Sequence, residues 1–287
     1  MHVAVPKTDS FLPWGPLAQD DQSLCSRVGV RGGSKVGEIT MTKKNDRIGV
    51  LEAQLAQMAQ QVASLQNAVG VLEDTHAVRC LQHKYGYYID KCLYDEAVAL
   101  FADDCEVHFL GGIFRGKASA HRLYCEHFRN HFVGGKNGPV FGFLLDHPVM
   151  QDIVDVAPDR KTAKARLRCN MMAGRHESAG SVSQWWEGAI YENQYVKADG
   201  IWRIKVLNYH PVWHADFETG WAHTRPQYVP FYKDTYPANP LGPDELEDSS
   251  LWPDTDIFPF HYPHPVTGEV LAKDLLRCRK LSLEQEV

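Results

Sequence analysis

The chain has 287 residues, 44% hydrophobic and 23% charged, which is enough apolar material for one large domain or two small ones. A formal net charge of −6 argues against nucleic acid or an anionic membrane surface as partner. No segment approaches the roughly 18 uninterrupted apolar residues of a membrane span.

Residues 1–30 carry Asp9, Asp20 and Asp21 and no apolar run, so no secretory signal is expected. Pro6, Pro13, Pro16 and the cluster Gly29, Gly32, Gly33, Gly37 follow no period. Disorder is the expectation for residues 1–40. Met41-Thr42-Lys43-Lys44 has the look of a translation start, so this stretch also reads as a mis-called upstream extension. The seven cysteines form no Cys-x-x-Cys, and Cys80, Cys92, Cys105, Cys125 and Cys169 sit in apolar or periodic contexts. They read as reduced, mostly buried thiols of a cytoplasmic protein.

A heptad follows over residues 41–74. Ile48, Leu55, Val62 and Val69 occupy a positions, and Leu51, Met58, Leu65 and Leu72 occupy d. The other faces are rich in Gln and Ala. A single amphipathic helix lying on its own domain would usually show a wider stripe, so the seam predicts an oligomerisation helix and a homo-oligomer, dimer or trimer. The strand number stays open. Leu55→Asp combined with Leu65→Asp is expected to weaken assembly, and a wild-type monomer by light scattering at micromolar concentration would refute the seam.

From Thr75 the apolar stripe widens through Val78, Leu81, Tyr85, Tyr88 and Ile89, with a break over Asp90–Tyr94. A helix is expected over Glu96–Ala102 and a strand over Cys105–Leu110. Gly111–Gly116 turns the chain, and Lys117–His131 reads as a third helix. Strands then dominate at about 140–156, 162–175, 183–197 and 201–211, with Asp199-Gly200 as a hairpin turn. Helices followed by antiparallel strands make an α+β order. Neither a Gly-x-Gly-x-x-Gly nor a P-loop is present, so nucleotide-cofactor folds have no support. Residues 211–265 hold ten of the sixteen prolines together with many aromatics. That composition predicts an ordered, irregular wrap over 213–287, ending in a short helix near Ala272–Leu283.

This order resembles the SnoaL-like branch of the nuclear transport factor 2-like superfamily. The residues that carry the likeness are Tyr85-x4-Asp90, Leu93–Phe101, Ala102-Asp103-Asp104-Cys105-Glu106-Val107 and Gly112-Ile113-Phe114-Arg115-Gly116-Lys117. Asp146-His147-Pro148-Val149 and Gly200-Ile201-Trp202-Arg203-Ile204 complete it. The likeness covers residues 75–212. It implies an α+β, cone-shaped fold with helices packed on a curved, mostly antiparallel sheet, flanked here by the N-terminal heptad helix and the long irregular C-terminal extension. It also implies, from the dehydratases of the superfamily, that Tyr85, Asp90 and His147 are catalytic. Their Tyr-x4-Asp spacing resembles that of bile-acid 7α-dehydratase, whereas in scytalone dehydratase the Tyr directly precedes the Asp, a place held here by Ile89. The long aromatic extension is similar to that of bacterial lyases that remove formaldehyde from lignin-derived diaryl propanediols.

Read by their own chemistry, a carboxylate that fixes an imidazole tautomer lets His147 take and return a proton near neutral pH. Asp90 could equally cap the turn after its helix, and a histidine on a strand is often structural. Asn208 and His210 continue the alternating row Trp202, Ile204, Val206, opposite Arg203, Lys205, Leu207 and Tyr209, and are expected to face the cavity. Trp185 and Tyr191, with Tyr88 from the helix, are candidate substrate-binding aromatics. The row Lys164, Arg166, Arg168 reads as an outer face or a subunit contact. No metal is expected: His127-x3-His131 and His261-x-x-His264 lack further ligands at zinc spacing. The expectation is a cofactor-independent lyase that eliminates formaldehyde or water from a small hydroxylated aromatic compound. The alternatives are a dehydratase or isomerase of a steroid- or polyketide-like substrate, and a non-catalytic binding or scaffold protein.

Overall fold

The structure is a computed structural model that describes residues 35–176, 182–223 and 228–278. The chain divides into two compact units, Met1–Gln61 and Val62–Val287. In the first, the described residues are helical, belonging to α1 (Lys35–Asp90), and Ile48, Leu51, Leu55 and Met58 of the seam are exposed. The expectation of disorder up to residue 40 gives way at Lys35, where α1 begins; residues 1–34 lie outside the described residues. Among the described residues no helix is long and apolar enough to cross a membrane.

The second unit begins within α1, whose Val62, Leu65, Val69 and Leu72 are also exposed. Further along, Val78, Leu81, Tyr85 and Ile89 turn the same helix into a core element. Next come α2 (Tyr94–Ala99), β1 (Phe101–Phe109) and β2 (Gly112–Arg115). Then α3 (Gly116–His121) runs through a π-helical turn at Arg122–Phe128 into α4 (Arg129–Val133). The remaining strands are β3 (Phe143–Asp146), β4 (Val149–Val156), β5 (Thr162–His176), β6 (Val182–Ala198), β7 (Ile201–Asp216) and β8 (Glu245–Leu246). They form one mixed sheet in the order β3-β5-β6-β7-β1-β2-β8, with β4 also on β5. Every pairing is antiparallel except β1 with β7. This is the α+β fold expected of the SnoaL-like class, with helices packed on a curved sheet.

Several boundaries move for identifiable reasons. The second helix stops at Ala99 instead of Ala102, because Phe101 and Ala102 are buried and the Ile204 amide bonds the Leu100 carbonyl at 3.0 Å. Sheet pairing overrides local helix preference there. The strand expected over 140–156 is two strands, divided at His147-Pro148, where proline has no amide to donate.

The largest correction lies on β7. Gln194 pairs Val206 but Tyr195 pairs Ile204, leaving Lys205 as an extra residue; Val212 is a second one, between the Gly188–Trp213 and Ala189–Pro211 pairs. Each bulge flips the alternation. The buried row therefore runs Trp202, Ile204, Leu207, Tyr209, and Asn208 and His210 go to the other face.

The C-terminal segment is pinned in three places. Phe231, Asp244 and Glu247 donate backbone hydrogen bonds to Leu110, Ile113 and Gly111 at 2.8, 2.8 and 3.0 Å, and β8 extends the sheet edge. Gly112 allows this approach, since a Cβ there would lie 2.8 Å from the Tyr232 ring and 2.9 Å from Pro243. Arg122 bonds the Gly242 carbonyl at 2.9 Å and Asp244 at 2.7 Å, with its guanidinium 4.4 Å from the Tyr236 ring centre. On the outer sheet face, Arg166 is buried against Glu192, bonds the Phe258 carbonyl at 2.6 Å and lies 4.2 Å from the Phe260 ring centre. His261 bridges Glu192 and Asp155. Part of the basic row on β5 is thus covered by the chain's own tail.

His108 of β1 adds a titratable tie to this segment, with Nδ1 3.0 Å from Glu247 and Nε2 3.4 Å from Glu106. Burial pulls its pKa down, but the two carboxylates outweigh burial and hold it above the usual value. The tie therefore contributes fully below about pH 6.5 and is lost as pH rises through the raised folded value. His108→Gln is expected to lower Tm near pH 6 and to have little effect near pH 9. A difference in Tm that is independent of pH would contradict the tie.

Candidate active site

Tyr85 and Asp90 lie five residues apart near the C-terminal end of α1, and His147 sits at the corner between β3 and β4. The X-Pro geometry of His147-Pro148 keeps the histidine backbone extended, so its ring reaches back toward the helix end. His147 Nδ1 lies 2.7 Å from Asp90 Oδ1, with both side chains about one-tenth exposed. That bond places the proton on Nδ1 and leaves the Nε2 lone pair to act as a base.

His147 borders two spaces. Outside is an open depression with His83, Gly86, Tyr87 and Asp90 on its wall. Inside is a narrow slot of about 90 Å³ walled by Tyr85, Tyr124, Tyr191, Tyr209, Trp185 and Met171, among others. The hydroxyls of Tyr85 and Tyr124 are 2.8 Å apart. Tyr124 comes from the π-helical turn, a local widening that recurs at functional sites. Tyr85 also meets Phe101 and Tyr191 edge-on, at ring-centre distances of 6.0 and 6.4 Å. Burial pushes the pKa values of Tyr85, Tyr124, Tyr191 and Tyr209 well up, so all four phenols hold their protons.

Tyr85, His147, Trp185 and Tyr191 thus border one slot, and Asp90 stands behind the imidazole. Three other candidates do not line the slot. Tyr88 lies three residues from Tyr85, about 300° around the helix, and packs half-buried at the flank of the core. Asn208 is turned away by the bulge at Lys205, and its backbone amide bonds Asn193 Oδ1 at 2.9 Å. His210 packs on Phe258 with ring centres 5.0 Å apart.

Sequence reasoning did not single out Glu187, Tyr124, Tyr209 or Tyr228, all of which border the slot. Glu187 accepts hydrogen bonds from Tyr209 at 2.8 Å and from Tyr228 at 3.1 Å. The available signal was one acid between Trp185 and Tyr191 in an otherwise apolar alternating row.

Metal-type groupings lie elsewhere. Among the described residues Asp95, His121 and Cys125 converge, as do Asp254, Asp256 and Cys278. Asp95 is paired with Arg129 and Asp256 with Arg277, so each set already has a cation on a carboxylate. His127 instead stacks on Phe231, its Nδ1 3.3 Å from the Tyr232 hydroxyl.

Residues 70–208 match the family model of the SnoaL-like domain, so the chain carries a SnoaL-like domain. Solved structures similar to it include three from Novosphingobium species. One is a protein assigned as a scytalone dehydratase from Novosphingobium aromaticivorans, 18% identical over 55% of this chain and 93% of that one, with a TM-score of 0.42. A second is the type 3 hexachlorocyclohexane dehydrochlorinase LinA from Novosphingobium barchaimii, 16% identical over 52% and 94%, with a TM-score of 0.41. The third is a nuclear transport factor 2-like protein with a cystatin-like fold from N. aromaticivorans, 18% identical over 55% and 91%, with a TM-score of 0.39. No curated protein matches the sequence.

Proposed function

We propose that the protein is a lyase that eliminates water or formaldehyde from a small hydroxylated aromatic compound, using side-chain acid–base chemistry. The observation that carries this reading is the His147–Asp90 pair at the wall of a tyrosine-lined slot. Asp90 holds the imidazole tautomer and stabilises the imidazolium, and His147 Nε2 removes a proton. In water loss that proton leaves carbon and its bonding pair forms the alkene. In formaldehyde loss the proton leaves a primary alcohol, the carbon–carbon bond breaks to give formaldehyde, and its pair forms the alkene. In both, a benzylic hydroxyl departs, and Tyr85 hydrogen-bonds that oxygen. A para-phenol on the substrate stabilises positive character at the benzylic carbon, and the aromatic walls exclude water.

The test is incubation with a para-hydroxylated 1,2-diarylpropane-1,3-diol, followed by mass spectrometry for loss of water alone or of water with formaldehyde. Product that also forms with His147→Ala, or no product with the wild type across phenolic diols, overturns the reading.

A further inference from the structure

An elimination that expels hydroxide needs a proton donor as well as a base, and the slot offers two kinds. Its tyrosines are the first kind. Burial makes Tyr85, Tyr94, Tyr124, Tyr191 and Tyr209 weaker acids than free tyrosine, and the Tyr85 and Tyr124 hydroxyls hydrogen-bond one another. A general acid works best with a pKa near the operating pH, which these phenols lack.

Glu187 is the second kind. It is 3% exposed, on an inward position of β6, and borders the slot. The sheet register fixes its relation to the base. Glu187 pairs Met171 on β5, while Asp146 pairs Met172 and Val149 pairs Cys169 on the opposite edge of β5. His147 and Glu187 therefore flank one strand, with Met171 between them. Two strand spacings separate their backbones by about 10 Å. A substrate lying over Met171 would have an imidazole at one side and a carboxyl at the other.

We propose that Glu187 is the proton donor of this slot, delivering its proton to the departing oxygen while His147 removes the proton that starts the elimination. This rests on the reading under Proposed function. His147 Nε2 gains one proton, and the electron pair released forms the new double bond. The C–O pair leaves on oxygen, which takes the Glu187 proton and departs as water. An imidazolium and a carboxylate remain, and transfer of the extra proton back through solvent resets both.

The surroundings suit a carboxyl that exchanges a proton. Burial raises its pKa, outweighing the hydrogen bonds from Tyr209 and Tyr228 that favour the anion. Those two bonds then stabilise the carboxylate formed by delivery. His214 Nε2 lies 3.8 Å from Oε1, and its ring stacks on Tyr228 at 3.8 Å between centres. Cys169 on β5, Tyr191 and His147 are further titratable groups that interact with its charge. Tyr228 belongs to the C-terminal segment, so that segment completes the donor's environment.

The test compares two probes, a para-hydroxylated 1,2-diarylpropane-1,3-diol and its benzylic 4-nitrophenyl ether, whose leaving group departs without protonation. Glu187→Gln is expected to lower kcat on the diol by about 10²-fold or more with KM little changed, and to leave the ether rate near wild type. Tyr209→Phe removes one bond to the carboxylate and is expected to move the alkaline limb of the pH–rate profile upward; it serves if Glu187→Gln fails to fold. Equal losses on both probes, or an unmoved alkaline limb in Tyr209→Phe, overturn the donor role. Diol turnover that is lost in His147→Ala but kept in Glu187→Gln overturns the donor role alone. Absence of wild-type turnover on both probes overturns the parent reading and the donor role with it.

Discussion

His147→Ala is expected to lower kcat/KM by about 10³-fold or more while moving Tm by no more than a few degrees. The rate loss follows from removing the general base, whose contribution lies around 10²–10⁴-fold. The small stability change follows from the ring's position. It stands at the boundary between the slot and an outer depression, and among the described residues its hydrogen-bond partner is Asp90. Asp90→Asn tests the same unit from the other side. The amide can present its NH₂ to Nδ1 and so favour the tautomer with the proton on Nε2, which cannot act as a base. A loss of up to about 10⁴-fold is expected, as for other base–orienter pairs. Kinetics and calorimetry on the same preparations decide the matter. Should either variant lose folded protein while its folded fraction keeps full activity, the pair is structural.

The residues of that pair were suggested by the likeness to the dehydratases, and each also sits at a locally readable position. Asp90 closes a strongly periodic helix, and His147 precedes a proline that ends one strand and opens another. The fold class was legible for a similar reason: the helix stripes and the strand alternation follow two different periods in a fixed order. What sequence could not show depends on pairing between distant strands. An extra residue on β7 is visible only against its β6 partner, so the alternation that sent Asn208 and His210 inward was continued straight through the bulge at Lys205. Glu187 was hidden differently. Its partners Tyr209 and Tyr228 are 22 and 41 residues away, and a lone acid in an aromatic row reads the same whether it is buried or solvated. Tyr124 was hidden by helix register, since the π-helical turn shifts which residues share a face.

Truncation after Gly220 is expected to give a protein that aggregates or unfolds well below the wild-type Tm. The removed segment buries Val229, Tyr232, Leu251 and Leu276, each 7% exposed or less. At roughly 1.5–3 kcal/mol per buried apolar side chain, four such residues amount to about 6–12 kcal/mol, comparable with the whole stability of a typical domain. Their loss uncovers apolar partners as well: Phe114, fully buried, sits 5.6 Å from the Tyr232 ring centre. The same cut removes Tyr228 from Glu187, and Phe258 and His261 from the outer face, where Arg166 and Glu192 would be left without their tail partners. A buried charge that loses a partner is costly even when the rest of the chain holds. Limited proteolysis separates this from the opposite view. The wild-type chain is expected to resist cleavage around Lys233 at protease levels that digest the same chain when denatured. Early cleavage there, with activity retained in the remaining core, would mean that the segment is dispensable and that the slot forms without it.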